Sequence, residues 1–400
     1  MKEKNEFLNI LDIVEEIKED EVVELLKRLI EIESHKNIEN QELDINKYIE
    51  EYFKSLGVKT KMDFVYENRP NLYASIGKGK KGKNLMLTGH IDTVPPYNMV
   101  SPFNPEIKNN TIFGRGSVDM KGAIAAMMIA FKVIHESNLD LEGKLFFASV
   151  IDEEQRCQGT KHMIENYNID SDYAIVGEPT NLDIMIGHKG MEWLEINVIG
   201  ESGHGSKPNN GVNSIYKAMK LVDELKEYFA CELPKRTHTN LGEPTMNIGL
   251  IKGGEDPNTI PGRTIIQIDR RWVPGETTET MLRDIEIVID KIKRKDSNFR
   301  ATVRRMDEAT GYHPPLNTQK DENIVTILSE SGKELFDKEV NIGYFDGWSD
   351  AAPLSKANIK SVVLGPGELN YAHSNNEQIE IKQVVKAAQY YALIALNICL

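Results

Sequence analysis

The chain has 400 residues, 28% charged and 40% hydrophobic, the mixture of a soluble globular protein long enough for about two cores. Its net charge of −14 opposes nucleic acid and anionic membrane as partners, since both need a basic footprint. The apolar run 123–134 is interrupted by Lys132 and suits a buried helix rather than a membrane span, and the charged N-terminus lacks the apolar core of a signal peptide. Cys157, Cys231 and Cys399 form no CxxC pattern and cannot all pair, so a reducing cytoplasm is expected, with Cys157 as a buried, inert thiol.

In chain order, Val22, Val23, Leu25, Leu26, Leu29 and Ile30 recur at a spacing near 3.6 and predict a helix. A second periodic segment runs from about residue 41 and stops at Gly57. Strand-like runs follow at 58–66, 71–76 and 84–88, then a helix over 122–136 and a strand over 144–151. Buried apolar strands with intervening helices predict an α/β layer architecture. The middle of the chain changes character: an alternating strand at 191–199, a helix over 212–229, strands at 245–251 and 264–272, a helix over 276–292 and a short strand at 300–304. The order β-α-β-β-α-β is that of a ferredoxin-like unit. It predicts a compact domain at 187–306, inserted between two parts of a first domain, 1–186 and 307–400. Helices over 322–336 and 383–396 complete that first domain, and no internal repeat or low-complexity segment is present.

One motif is a decoy. Residues 77–84 nearly match a phosphate loop, but Asn84 stands where a hydroxyl residue would bind magnesium. The segment also joins two strand-like runs instead of opening a helix, so it reads as a solvated basic turn.

Residues of metal-ligand type form a better constellation. His90 and Asp92 end an apolar run in Thr-Gly-His-Ile-Asp-Thr-Val-Pro, and alternation along an extended chain points both to one face. Asp92 is then expected to hold the second nitrogen of the His90 ring. Asp119 lies in Gly-Arg-Gly-Ser-Val-Asp-Met-Lys-Gly, and Glu153 and Glu154 end a second apolar run. Glu178 closes Tyr-Ala-Ile-Val-Gly-Glu-Pro-Thr, and His373 stands in Tyr-Ala-His-Ser-Asn-Asn-Glu. Acids at the ends of buried strands sit where the sites of open sheets gather. Adjacent Glu153 and Glu154 point differently, so one can ligate a metal while the other faces water. Imidazole with carboxylate suits zinc, and two histidines with several acids can hold two ions.

The ordered set Gly-His90-Ile-Asp92, Val-Asp119-Met-Lys-Gly, Asp-Glu153-Glu154, Gly-Glu178-Pro-Thr and Ala-His373-Ser spans nearly the whole chain. It resembles the co-catalytic zinc aminoacylase/carboxypeptidase family, relatives of acetylornithine deacetylase, succinyl-diaminopimelate desuccinylase and glutamate carboxypeptidase. The resemblance implies a mixed-sheet catalytic domain carrying a ferredoxin-like lid. It implies two Zn2+ ions, with Co2+ or Mn2+ as substitutes: Asp119 bridges them, His90 and Glu178 complete one site, and Glu154 and His373 the other. Glu153 falls on the general base, and the Asp119–Met120 peptide is implied to be cis. In the lid, Gly203-His204-Gly-Ser-Lys-Pro resembles the segment whose histidine steadies the oxyanion. Pro257-Asn258-Thr-Ile-Pro and Asp269-Arg270-Arg271 resemble segments that grip the substrate carboxylate, with Arg271 favoured by the family's Asp-x-Arg spacing. Gly365-Pro-Gly367 resembles a loop lining the pocket. Gly347-Trp348-Ser349-Asp350 departs from the Gly-Gly-Thr-Asp of many relatives and implies a reshaped pocket.

The implied function is zinc-dependent cleavage of the amide bond of a small N-acyl amino acid, by a homodimer joined through the lid with His204 acting across the two-fold axis. A dipeptidase or carboxypeptidase shares this chemistry and these motifs, and so remains open. A non-catalytic binding protein on the same scaffold would have lost the base or a ligand, and this chain keeps Glu153 and its five candidate ligands.

Overall fold

The computed structural model describes residues 10–79, 81–167 and 169–400; Lys80, in the expected basic turn, lies outside them. The chain divides into two compact units: the described residues up to Gly187 together with Asn317–Leu400, and His188–Leu316.

The first unit is built on an eight-stranded sheet. Its order is Thr60–Tyr66, Arg69–Gly77, Lys144–Val150, Leu85–His90, Tyr173–Val176, Lys360–Val363, Ile184–Met185 and Ile342–Gly343. The first two neighbouring pairs are antiparallel, while Lys144–Val150, Leu85–His90, Tyr173–Val176 and Lys360–Val363 run parallel. Leu-Met-Leu-Thr-Gly-His is buried at every position, as a central parallel strand covered on both faces must be. Helix Gly122–Glu136 is apolar nearly all round and is buried accordingly. Helices Glu19–Glu31, Leu43–Ser55 and Ile381–Cys399 join the same core. Among the described residues, no helix is long and apolar enough to cross a membrane.

Parallel register has a direct consequence for function. His90 pairs with Val150, and Thr88 pairs with Val176, so three neighbouring strands end side by side. The chain segments leaving those ends carry Asp92, Glu153 with Glu154, and Glu178. Such strand ends are where open α/β sheets present their ligand sites.

The second unit contains a four-stranded sheet ordered Thr245–Gly253, Arg263–Trp272, Gly190–Ile199, Arg300–Arg305, with each neighbouring pair antiparallel. Helices Ser214–Glu232 and Thr278–Lys295 complete the ferredoxin-like order. Leu194, Ile196, Val198, Ile266 and Ile268 alternate inward against Leu221, Leu225 and Val288 of those helices. The helices start at good caps: Asn213 accepts from Ile215 and Tyr216, and Thr277 with Thr280 forms a capping box. The unit continues past residue 306 to Leu316, because Met306 N–H donates to the Trp193 carbonyl at 2.9 Å and Met191 N–H to that of His313 at 3.0 Å.

In the first unit Phe53 is fully buried, with ring centroids 5.0 Å from both Phe131 and Phe147. Phe53→Ala is expected to lower stability by about 3–5 kcal/mol, through lost burial plus a cavity. Urea unfolding, compared with the parent protein, measures it.

Candidate metal centre

Asp119 is the middle of the cluster. Its Oδ1 lies 3.0 Å from His90 Nε2 and its Oδ2 lies 3.2 Å from His373 Nε2, so each carboxylate oxygen faces a different imidazole. Glu178 Oε1 approaches His90 Nε2 at 3.6 Å, and Glu154 Oε1 approaches His373 Nε2 at 3.0 Å. Glu153 Oε2 stands 3.9 Å from His90 Nε2. The arrangement is two histidine–acid pairs sharing one aspartate, with Glu153 beside them. The Asp119–Met120 peptide is cis. Met120 then fills the space over the strand ends, where a Cβ on Gly89 would lie 2.0 Å from its methyl group and one on Gly177 2.9 Å away. Gly365, from the expected pocket loop, accepts the N–H groups of Thr180 and Leu182, just beyond Glu178. Gly367, at φ +88°, donates to Gln383 and accepts from Asn181.

A turn separates the two adjacent glutamates. Asp152 adopts φ +67°, and its carbonyl accepts the N–H of Arg156 at 2.9 Å and that of Cys157 at 2.6 Å. Glu153 and Glu154 therefore leave the strand on a bend and reach different parts of the cluster. The Asp92 carboxylate holds that bend: Oδ1 accepts from Glu153 N–H at 3.2 Å and Oδ2 from Glu154 N–H at 3.1 Å. This corrects the expected role of Asp92. His90 Nδ1 donates to the Asp92 backbone carbonyl at 2.8 Å, while the carboxylate is 3.7 Å away. Asp92 still orients His90, leaving Nε2 for a metal, but does so with its backbone. Its side chain is freed to aim the glutamates.

Electrostatics favour cations here. Burial pushes the carboxyls of Glu153 and Glu178 well above the usual range against the pull of His90, with Glu178 adding to the rise at Glu153 and Asp119 to that at Glu178. Burial also opposes ionisation of Asp119, but hydrogen bonds from His373 and His90 hold it below the usual range. Hydrogen bonds to Asp119 and Glu154 raise His373 to about 11. Glu178 Oε1 is a buried acceptor without a hydrogen-bond donor. Imidazole nitrogens, crowded carboxylates and an orphaned buried oxygen together fit two borderline divalent ions. His373 is half exposed, so the cluster is open to solvent on that side.

Sequence reasoning missed the support beneath. Arg69 makes two hydrogen bonds to buried Glu42, at 2.8 and 2.6 Å, and reaches Asp152 Oδ1 at 3.0 Å. Asp350 accepts the Cys157 thiol proton. Burial and the neighbouring Asp350 push that thiol well above its usual range, so it is no nucleophile. Asp152 and Asp350 stood inside motifs already singled out, but nothing local marked their partners.

Within the second unit, His204 pairs with Thr259, and Gly205 N–H donates to the Asn258 carbonyl at 2.7 Å. The two expected lid residues are thus neighbours, and both are exposed. His204 Nδ1 accepts the Ser206 N–H at 3.2 Å, which puts its proton on Nε2 as a free donor. Strand alternation separates the arginines. Arg270 is buried against Glu276, while Arg271 is half exposed and holds Asp269 at 3.0 Å.

The model of peptidase family M20/M25/M40 matches residues 86–397. An acetylornithine deacetylase of Aliivibrio salmonicida is 32% identical over 345 residues, covering 82% of this chain and 84% of that protein. An uncharacterized metallohydrolase of Methanocaldococcus jannaschii is 30% identical over 385 residues, 91% of this chain and 90% of that protein. In fold, the chain is similar to an aminopeptidase from Bacillus cereus, at a TM-score of 0.77 and 22% identity over 94% of this chain and 98% of that one.

Two outcomes follow from the cluster. Protein freed of metal is expected to take up about two zinc equivalents by elemental analysis, and chelation to abolish hydrolysis until zinc or cobalt is returned. Asp92→Asn keeps an oxygen for one glutamate N–H but turns an amide against the other. Metal affinity or turnover is expected to fall about 10–100-fold, measured by metal-buffer titration and rate assay.

Proposed function

This chain belongs to peptidase family M20/M25/M40, and on that premise we propose that it is a two-zinc amidohydrolase releasing an amino acid from its N-acyl derivative. The observation that carries this reading is Asp119, one oxygen turned to each histidine, with Glu153 beside the His90 pair. His90, Glu178 and Asp119 would hold one ion, and Glu154, His373 and Asp119 the other. Bound there, the ions would supply Lewis acidity to polarise the scissile carbonyl and acidify water.

The chain's own groups do the proton work. Glu153 takes the proton of the attacking water and returns it to the departing amine nitrogen. His204, with its free Nε2–H, supports a role in steadying the oxyanion. Arg271 and Asn258 would bind the substrate carboxylate; Arg270 is already committed to Glu276. Gly365 and Gly367 would line the pocket beside Glu178. The 32% identity to an acetylornithine deacetylase supports the acyl-amide reading. A peptide substrate is the second reading, favoured by the fold shared with an aminopeptidase and by the exposed face at His373.

A homodimer through the second unit is part of the proposal. Its edge strand Thr245–Gly253 is exposed almost throughout, with Leu250 and Ile251 in contact with solvent, and Tyr216 and Met219 stand exposed on helix Ser214–Glu232. Unpaired edge strands with apolar side chains are templates for pairing. The free cysteines Cys157, Cys231 and Cys399 support a cytoplasmic setting.

Hydrolysis of N-acetyl, N-succinyl and N-formyl amino acids, measured beside dipeptides with added zinc, tests the substrate class; turnover of dipeptides alone selects the second reading. Glu153→Ala is expected to keep both ions and lose about 10²–10⁴-fold in rate. Glu154→Ala is expected to lose metal from one site, and elemental analysis with the opposite result exchanges the two roles. If His204 acts on its partner's site, dimers remixed from inactive Glu153→Ala and His204→Ala proteins recover about a quarter of their sites. Absence of recovery in mass-verified mixed dimers assigns His204 to its own chain or to no catalytic role.

A further inference from the structure

Glu377 lies four residues after His373 and belongs to neither histidine–acid pair. Its side chain is 1% exposed, and its Oε1 accepts the backbone N–H groups of both Val118 and Asp119 at 3.1 Å. Oε2 takes Nη1 of Arg115, whose side chain is buried as deeply. The Glu377 carbonyl accepts the Gly114 N–H at 3.2 Å, and strand Gln378–Glu380 pairs antiparallel with Thr111–Phe113. The chain that carries His373 is thus tied to the chain that carries Asp119 through both the backbone and the side chain of one residue.

Asp119 needs such an anchor. The turn Ser117–Lys121 departs from helical geometry at Asp119, with φ −126° and ψ 92°. A regular helical ladder therefore does not hold the Asp119 N–H, and a buried N–H without an acceptor is strongly disfavoured. Glu377 supplies the acceptor, and the position of its oxygen sets where the Val118–Asp119 backbone lies. That backbone in turn decides whether the Asp119 carboxylate faces both His90 and His373.

From this geometry we infer that Glu377 is a positioning residue of the metal centre, aiming Asp119 through its main chain. The inference rests on the two-ion reading above. A buried ion pair kept only for stability makes a different prediction, because such a pair can be replaced by apolar side chains without loss. An anchor cannot, since the two N–H groups still need an oxygen.

Two double variants separate these roles, both lacking the ion pair. R115M/E377Q keeps an amide oxygen for Val118 and Asp119, whereas R115M/E377M presents none. Cobalt-loaded full-length proteins are compared by visible absorption and by cobalt affinity in a metal buffer. R115M/E377Q is expected to keep the parent spectrum and bind within about threefold of it. R115M/E377M is expected to bind about 10–100-fold more weakly with a shifted spectrum, the usual effect of losing a group that orients a ligand. Equal affinity and equal spectra in the two variants overturn the inference. Should R115M/E377M fail to fold, E377D carries the comparison, since it keeps the charge but withdraws the carboxylate by one methylene. Weaker, shifted binding is then expected, and parent-like binding overturns the inference. A parent protein that binds no cobalt would overturn the two-ion reading itself, whereas normal parent binding with unaffected variants overturns only the role of Glu377.

Discussion

One carboxylate divided between two imidazoles is the constraint on which the first unit depends. Asp119 can face His90 and His373 together only if chain segments far apart in sequence end at one place. The parallel strands bring up His90, the glutamate pair and Glu178 as a row of strand ends. Met120, next to Asp119, packs into the slot left by Gly89 and Gly177. His373 arrives from the other end of the chain.

Gathering acids creates a second problem. Buried carboxylates repel one another, and burial alone drives them toward the neutral form, as Glu153 and Glu178 illustrate. The protein answers with donors fixed in the main chain and with buried arginines. Asp92 draws on the N–H groups of Glu153 and Glu154, while Arg69 ties Asp152 to Glu42 under the same turn. Glu377 draws on the N–H groups of Val118 and Asp119 and is itself held by Arg115. In each case an acid outside the proposed ligand set positions a ligand or the base, so only a few carboxylates face the reaction.

The second unit solves a simpler problem with strand alternation. Residues facing the helices are consumed by the core or, like Arg270, by a buried ion pair. Arg271, on the opposite face, is partly exposed and pairs with Asp269. The short pairing of His204 with Thr259 sets a histidine and Asn258 side by side, and a single main-chain N–H selects the ring tautomer.

Local pattern was sufficient for much of this. Apolar runs and the switch from α/β order to β-α-β-β-α-β made the architecture legible, because burial imposes periodicity on neighbouring residues. The acids at strand ends and the two histidines were also visible, since each site segment carries its own short motif. The partner of Asp92 was not visible: an aspartate two residues beyond a histidine looks like its support, yet the carboxylate turned to a bend 61 residues away. Glu377 stood in plain sight after His373, but its partner Arg115 lies 262 residues from it in sequence. Sequence by itself determined which residue types occupy which strand, helix or turn. Tertiary structure alone decided which donor meets which acceptor, because hydrogen bonds act over about 3 Å and only the fold sets those distances.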